Sequence, residues 1–410
     1  MAEPLAIDGG RPVRTTPLPP WPAPGDAEVE AVTAVLRSGR INYWTGGEAR
    51  TFEHEYAASV DRRYGIAVAN GTVALEIALR AFRVGPGDEV IVPARSFIAT
   101  ASCAVAVGAV PVIADIDPDS GNLTAETARA ALTERTRAII PVHVGGWPVD
   151  MAPIMDLATE RGLFVLEDCA QAHGATYRGR PVGSIGHAAA FSFCQDKILP
   201  LGEGGLIALD DEEAYRRAWA YKDHGKSLAK VEHPPADADT AGFRWLHDSF
   251  GTNARMGELE GALGRVGLAQ LAHWVAARRR NALRLATGIA DLPGLRVPMT
   301  PADSVNSYYR LYAFAQHDAL SDGWSRDRIA NAISAEGIPC RHGSCAEMYR
   351  EEAFAAAGIG PAQRLPVAAS MQETSLSFFV HPTLTDADMD DAIAAVCKVM
   401  AVAAAPGSRN

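Results

Sequence analysis

Lys197 closes the segment Phe191-Ser192-Phe193-Cys194-Gln195-Asp196-Lys197 and is soon followed by Gly202-Glu203-Gly204-Gly205, so an amine sits where an apolar strand runs into a glycine-rich turn. An ammonium group is a poor nucleophile at neutral pH. Burial or neighbouring cations free the amine, and a lysine so placed can form a Schiff base with an aldehyde. Asp168 ends a second apolar stretch, Phe164-Val165-Leu166-Glu167-Asp168, where a carboxylate could keep a ring nitrogen protonated through a charge-assisted hydrogen bond. A third stretch, Asn70-Gly71-Thr72-Val73-Ala74-Leu75, follows a short apolar strand and opens a helix. Free backbone N–H groups at such a helix start can hold a phosphate. Phosphate cradle, carboxylate and amine, in that chain order, are the three anchors of pyridoxal 5′-phosphate (PLP), whose ring takes up electrons once a lysine holds its aldehyde.

Each of these residues also has an ordinary structural reading. Lysines at strand ends are usually solvated, an aspartate there commonly caps the next turn, and Gly71-Thr72 would serve equally as a plain helix start. What favours chemistry is the order of the three pieces and the apolar strands that carry two of them.

The elements that must position these groups alternate. Strands are expected at Ile66 to Ala69, Glu89 to Pro93, Val110 to Asp115, Arg137 to Val142, Leu163 to Asp168, Ala188 to Phe193 and Leu206 to Leu209, and helices from Thr72, Ile98, Ala125, Met151 and Glu212. That rhythm predicts an α/β fold with a mainly parallel sheet between helices. Residues 1–23 are proline-rich and read as an extended arm of the kind that often wraps a partner subunit, ahead of a helix at Asp26 to Ser38. The polar stretch from Gly225 to Ser249 carries Pro234-Pro235 and reads as a long loop over the active site, where substrate selection would reside. A helical segment from about Met256 to Ala290 leads to a smaller C-terminal α/β unit with strands near Tyr309 to Ala315 and Ser375 to Phe379 and a helix from Asp386. The expected division is an arm over 1–23, a large domain over 24–275 and a small domain over 276–410.

Composition narrows the function classes. The chain has 410 residues, 48% of them hydrophobic, enough for a sizeable core. Its 38 basic and 49 acidic residues give a formal charge of −11, which argues against nucleic acid or an anionic membrane as partner. An anionic substrate would therefore be drawn in by local groups only. Six scattered cysteines without a CxxC pair indicate neither a zinc site nor a disulfide framework. The N-terminus lacks the run of a signal peptide, and the alanine-rich stretches are broken by charges, so a cytoplasmic location is expected. A dinucleotide-dependent dehydrogenase would suit the strand and helix rhythm, but the first strand-to-helix turn lacks GxGxxG.

Taken together, Asn70 to Leu75, Glu167 to Gln171, Ser192 to Lys197 with its Gly-Glu-Gly-Gly tail, and Gly251-Thr252-Asn253-Ala254-Arg255-Met256 resemble the sugar aminotransferases of the DegT/DnrJ/EryC1/StrS family, within the fold-type I PLP enzymes. The resemblance spans nearly the whole chain. It departs at Pro200-Leu201, where small polar residues would be usual. It implies a seven-stranded large domain, and a catalytic Lys197 that both carries the cofactor and shuttles a proton between substrate carbon and cofactor. It further implies cofactor contacts from Gly71, Thr72, Phe97, Asp168, Gln171, Ser192 and Asn253. Phe97 would stack on the ring, although a core phenylalanine reads the same from sequence; Gln171 would reach the phenolic oxygen, although a structural amide is equally open. Asn253 would reach across from a neighbouring subunit, implying a homodimer with shared active sites. His224, Arg244, Tyr308, Tyr309 and Arg341 are candidates for lining the substrate pocket, and solvated loop residues would look the same. Asn42-Tyr43-Trp44-Thr45-Gly46 is a candidate aromatic wall or subunit interface.

The reaction implied is ping-pong transamination from an amino acid, glutamate or in some members glutamine, to a keto sugar, with a nucleotide-linked 4-keto-6-deoxyhexose the expected acceptor and a natural product or surface polysaccharide the destination. A cyclitol ketone such as scyllo-inosose is the alternative acceptor. A PLP-dependent dehydratase of this family would carry histidine where Lys197 stands, and a regulatory protein that kept the fold without turnover is the reading from another class.

Overall fold

The computed structural model describes residues 4–234 and 244–405. Seven strands form the principal sheet: β1 (Tyr64–Val68), β2 (Glu89–Pro93), β3 (Val110–Ala114), β4 (Thr136–Ile139), β5 (Phe164–Asp168), β6 (Ala188–Ser192) and β7 (Gly205–Leu209). Their order is β1-β7-β6-β5-β4-β2-β3, and only β7 runs antiparallel to its neighbours. Alternate residues feed opposite faces. Ile66, Val68, Val90, Val92 and Leu166 join the core under one helical layer, while Ala67, Ile91, Val165, Leu206 and Phe191 join cores on the other face. Strands covered on both sides must be apolar throughout, which is why they read as continuous runs in the sequence.

The principal helices include α1 (Asp26–Ser38), α2 (Glu48–Ser59), α3 (Gly71–Ala81), α4 (Ala99–Ala106), α5 (Ala125–Ala130), α6 (Met151–Arg161), α7 (Glu212–Lys222), α8 (Glu258–Ile289), α9 (Arg326–Ala335) and α10 (Asp386–Ala403). Their starts follow capping chemistry. Asn70 accepts from Val73 N at the head of α3, and Asp211 from Ala214 N at the head of α7. The sequence reading lacked α2, whose apolar face (Ala49, Phe52, Tyr56) lies against α8. Helix α8 runs unbroken through residue 275. Its first half meets α2 where Gly264 lies against Phe52, and its second half meets α10 where Gly288 lies against Ile393. A smaller antiparallel sheet, β8 (Leu295–Arg296), β9 (Leu311–Ala315), β10 (Cys340–Arg341) and β11 (Ser375–Phe378) in the order β8-β9-β11-β10, is backed by α9 and α10.

Two expectations change. The N-terminal arm packs on its own chain: Leu5 is buried in the C-terminal core, Ala6 N and Val13 N donate to Glu336, and Arg14 pairs with Asp388 at 2.8 Å. These contacts hold the first part of the arm, residues 5–14, on its own chain. In its described parts Gly225 to Ser249 is partly regular and does not cover this chain's own cavity. Leu228–Glu232 is helical, Ser227 N donates to Leu246 O, and none of residues 225–234 or 244–249 lines the large cavity described below.

Candidate active site

In a parallel sheet, ligand sites form beyond the carboxyl ends of the strands. A cavity of about 1020 Å³ opens there, lined by the head of α3 after β1, by Phe97 and Thr100 after β2, by Asp168 and Gln171 after β5, by Ser192 and Lys197 after β6, and by Tyr309 and the segment around Ser344 to Glu351 from the C-terminal unit.

Asp168 is 4% exposed, and its two oxygens accept from Thr100 Oγ1 at 2.9 Å and Ala170 N at 3.1 Å. Burial pushes its pKa up, and the Ala170 N–H, the Thr100 hydroxyl and the charge of Lys197 offset only part of that. Such a carboxylate is stabilised by a cation placed against it. Behind it, His143 Nδ1 accepts from Val149 N at 2.9 Å, so the proton sits on Nε2 and is donated to Glu167 Oε2 at 3.2 Å. Burial alone would raise the pKa of Glu167; the bonds from His143 and from Gly183, Ile185 and Gly186 N hold it below the ordinary value. This network fixes the strand end that presents Asp168.

At the head of α3 the first N–H groups have no intrahelical partner, and Gly71 and Thr72 face the cavity. A Cβ on Gly71 would lie 2.6 Å from Ser192 Cβ, so only glycine allows the helix start to approach Ser192 this closely. Ser192 is itself held from behind: its carbonyl accepts from His173 Nε2 at 2.8 Å, and His173 Nδ1 accepts from the Tyr56 hydroxyl at 2.6 Å. Burial lowers the pKa of His173 to about 3, which keeps the ring neutral in that tautomer.

Lys197 follows a tight turn closed by Lys197 N to Cys194 O and Leu201 N to Phe193 O. The unusual Pro200-Leu201 has a physical role here. Leu201 is buried with Leu199, Phe193 and Met256, so an apolar anchor secures the loop behind the amine. The Nζ of Lys197 lies over the Tyr309 ring, 5.0 Å from its centroid, and the Tyr309 hydroxyl donates to Asp196. Phe97 is 68% exposed on the cavity wall, so it is not a core residue. Gln171 Oε1 accepts from Gly145 N at 2.8 Å, which orients the amide at the cavity edge.

The other expected residues are not brought into this cavity within one chain. Asn253 is exposed and bridges Asp223. His224 and Arg244 are exposed near it in sequence, and Arg341 is exposed on β10. Tyr308 is buried in the C-terminal core, where apolar neighbours claim its ring. The Tyr43 hydroxyl meets Glu53 at 3.1 Å and Lys222 Nζ at 3.1 Å, so that aromatic is an internal anchor and not a wall of the cavity. Conversely, Thr100, Asp196, Glu203 and Glu351 line the cavity without having been expected there. Thr100 was within reach of sequence reasoning, one turn beyond Phe97; Glu351 carried no signal, because only the fold brings it near.

Residues 22–397 match the model of the DegT/DnrJ/EryC1/StrS aminotransferase family. The chain belongs to that family. Among its similar proteins, an aminotransferase from Psychrobacter cryohalolentis of known crystal structure is 49% identical and superposes with a TM-score of 0.91, over 94% of this chain and 99% of that one. The L-glutamine:2-deoxy-scyllo-inosose aminotransferase of Streptoalloteichus tenebrarius is 35% identical over 97% of each chain. The dTDP-3-amino-3,4,6-trideoxy-alpha-D-glucose transaminase of Streptomyces venezuelae is 35% identical over 87% of this chain and 88% of its own. Similar solved structures include a ketimine complex and a pyridoxamine-phosphate form. This family member is accordingly a PLP-dependent sugar aminotransferase with the fold-type I architecture. Its cavity fits the cofactor on its own terms, with a buried carboxylate short of a counter-charge, a glycine-only approach at a helix start, and an amine on a braced turn. No helix among the described residues is long and apolar enough to cross a membrane.

Proposed function

We propose that this aminotransferase moves the amino group of L-glutamate onto a nucleotide-linked 4-keto-6-deoxyhexose, supplying an amino sugar for a natural product or surface polysaccharide. The observation that carries the reading is the convergence of Lys197, Asp168 and the α3 head on one cavity. When bound, PLP supplies an aldehyde for amine exchange and a ring that takes up electrons. Lys197 Nζ would hold that aldehyde, and its free amine would be placed to move a proton at the reacting carbon. Asp168 keeps the ring nitrogen protonated, Gly71 and Thr72 with Ser192 hold the phosphate, Phe97 covers the ring face, and the Gln171 amide reaches the phenolic oxygen.

The charged lining of the cavity supports a shared site. Among the described residues it holds Asp168, Asp196, Glu203 and Glu351 against Lys197 alone. A phosphate carries nearly two negative charges, and a nucleotide substrate adds more, so one chain's half is short of cations. The exposed Asn253, His224, Arg244 and Arg341 would supply polar and cationic groups to the site of a second copy in a homodimer. The same acidic lining also suits an uncharged acceptor, and with the resemblance to a scyllo-inosose aminotransferase it supports a cyclitol ketone with glutamine as donor as the second reading.

The test is the absorbance of the purified protein between about 300 and 500 nm as each donor and then each acceptor is added. Loss of the long-wavelength band with glutamate, and its return with the nucleotide-linked ketone, is the expected outcome. Return only with the cyclitol ketone selects the second reading. A band that persists in Lys197→Ala overturns the assignment of the lysine.

A further inference from the structure

Arg278, in the middle of α8, is 0% exposed, and its Nε and Nη2 have no hydrogen-bond partner. Its Nη1 donates to the Tyr308 and Tyr309 carbonyls, each at 3.4 Å, and its guanidinium lies 5.1 Å from the centre of the Trp21 ring. Burial pushes its pKa down, yet a guanidinium stays charged in proteins. Isolating such a charge from water is costly, and an apolar residue of similar volume is often the more stable choice. Stability therefore does not explain an arginine here.

Its neighbours lead to Lys197 along two routes. Trp21, brought by the N-terminal arm, donates from Nε1 to the Lys197 carbonyl at 3.0 Å, and its ring is edged by Trp274 at 5.2 Å. Tyr309 donates its hydroxyl to Asp196 and lies under the Lys197 amine. Tyr309 leaves a strained backbone, since Tyr308 has φ 50°, and that conformation persists only where surroundings hold it. The Arg278 bonds to both carbonyls are such a hold.

We propose that Arg278 is a positioning residue for Lys197: it pins the Trp21 ring and the Tyr308–Tyr309 carbonyls together, and through them fixes the lysine's main chain from one side and Asp196 from the other. The proposal rests on the reading that Lys197 takes the cofactor aldehyde. Arg278 itself touches no residue that holds phosphate or ring, so docking and capture separate.

The full-length protein, freed of cofactor, is mixed with PLP, and growth of the long-wavelength band is followed against PLP concentration. In Arg278→Met the half-saturating concentration stays within about twofold of wild type, while the limiting rate of band growth falls on the order of ten- to a hundredfold, the scale of a small misplacement of a reacting group. Trp21→Phe, which keeps an aromatic face under the guanidinium but is smaller than the indole and lacks the N–H to Lys197, slows the same rate and serves alone if Arg278→Met does not fold. Wild-type rates in Trp21→Phe overturn the proposal whatever Arg278→Met does, as does a wild-type rate in a folded Arg278→Met. A band in Lys197→Ala would instead defeat the reading of the lysine, and so separates the two failures.

Discussion

Glu347→Gln is expected to weaken the wall of the cavity that the C-terminal unit supplies. The Glu347 carboxylate is almost fully buried and accepts a bidentate pair from Arg364 at 2.9 and 2.7 Å, the Tyr349 hydroxyl at 2.7 Å and Arg350 Nη1 at 3.3 Å. The Arg364 guanidinium first, together with Tyr349 and Arg350, holds its pKa down from 4.5 to about 2. At about 1.4 kcal/mol for each tenfold change in proton affinity, that amounts to about 3 kcal/mol of native-state stabilisation. The Arg364 and Arg350 side chains are 48% and 59% exposed, and water screening of such partners reduces the figure to about 2 kcal/mol. Because the folded pKa lies below the unfolded one, this contribution is fully present above pH 4.5 and fades as pH falls through about 2. Urea melts of wild type and variant should therefore differ by about 2 kcal/mol at neutral pH, with the gap constant down to about pH 5 and shrinking below it. Met348 follows directly, lines the cavity and has its N–H bonded to Ala94 O at 3.1 Å, so the variant should also raise KM. A stability gap below about 0.5 kcal/mol at pH 7, or one that widens on acidification, would refute the assignment of Glu347 as a paired carboxylate.

Asp168→Asn should leave the cofactor-free protein as stable as wild type or more so, because a carboxylate whose folded pKa is raised destabilises the native state when ionised at neutral pH; the glutamate half-reaction should nonetheless slow on the order of a hundredfold, and a cofactor-free protein with a clearly lower melting midpoint would contradict the first part. In Gly71→Ala the new methyl group meets Ser192 Cβ at 2.6 Å, so PLP should bind roughly tenfold more weakly or worse; equilibrium dialysis showing unchanged affinity would remove the α3 head from the phosphate site. Asn253→Ala should weaken PLP retention if the homodimer shares its sites, and retention equal to wild type in the same dialysis would end the cross-subunit argument.

Much of this protein is legible without coordinates, for a physical reason. Strands buried on both faces must be apolar from end to end, so β2, β5 and β6 are readable as runs, and Asp168 at the end of β5 and Lys197 in the turn after β6 fall where a parallel sheet presents its ligands. Helix α3 announces itself through the Asn70 cap, and its glycine marks the close approach to Ser192. What the tertiary structure alone decided depends on contacts between distant segments. Helix α2 hid because its outward face is polar and its apolar residues are few. The arm's own-chain docking turns on Glu336, more than three hundred residues away. Tyr308 and Tyr309 are adjacent and chemically alike, yet a positive φ sends one ring into the C-terminal core and the other under Lys197. The isolated charge of Arg278 is invisible to any local pattern, since the first of three consecutive arginines, Arg278-Arg279-Arg280, reads as solvated like its neighbours until the chain folds distant segments around it.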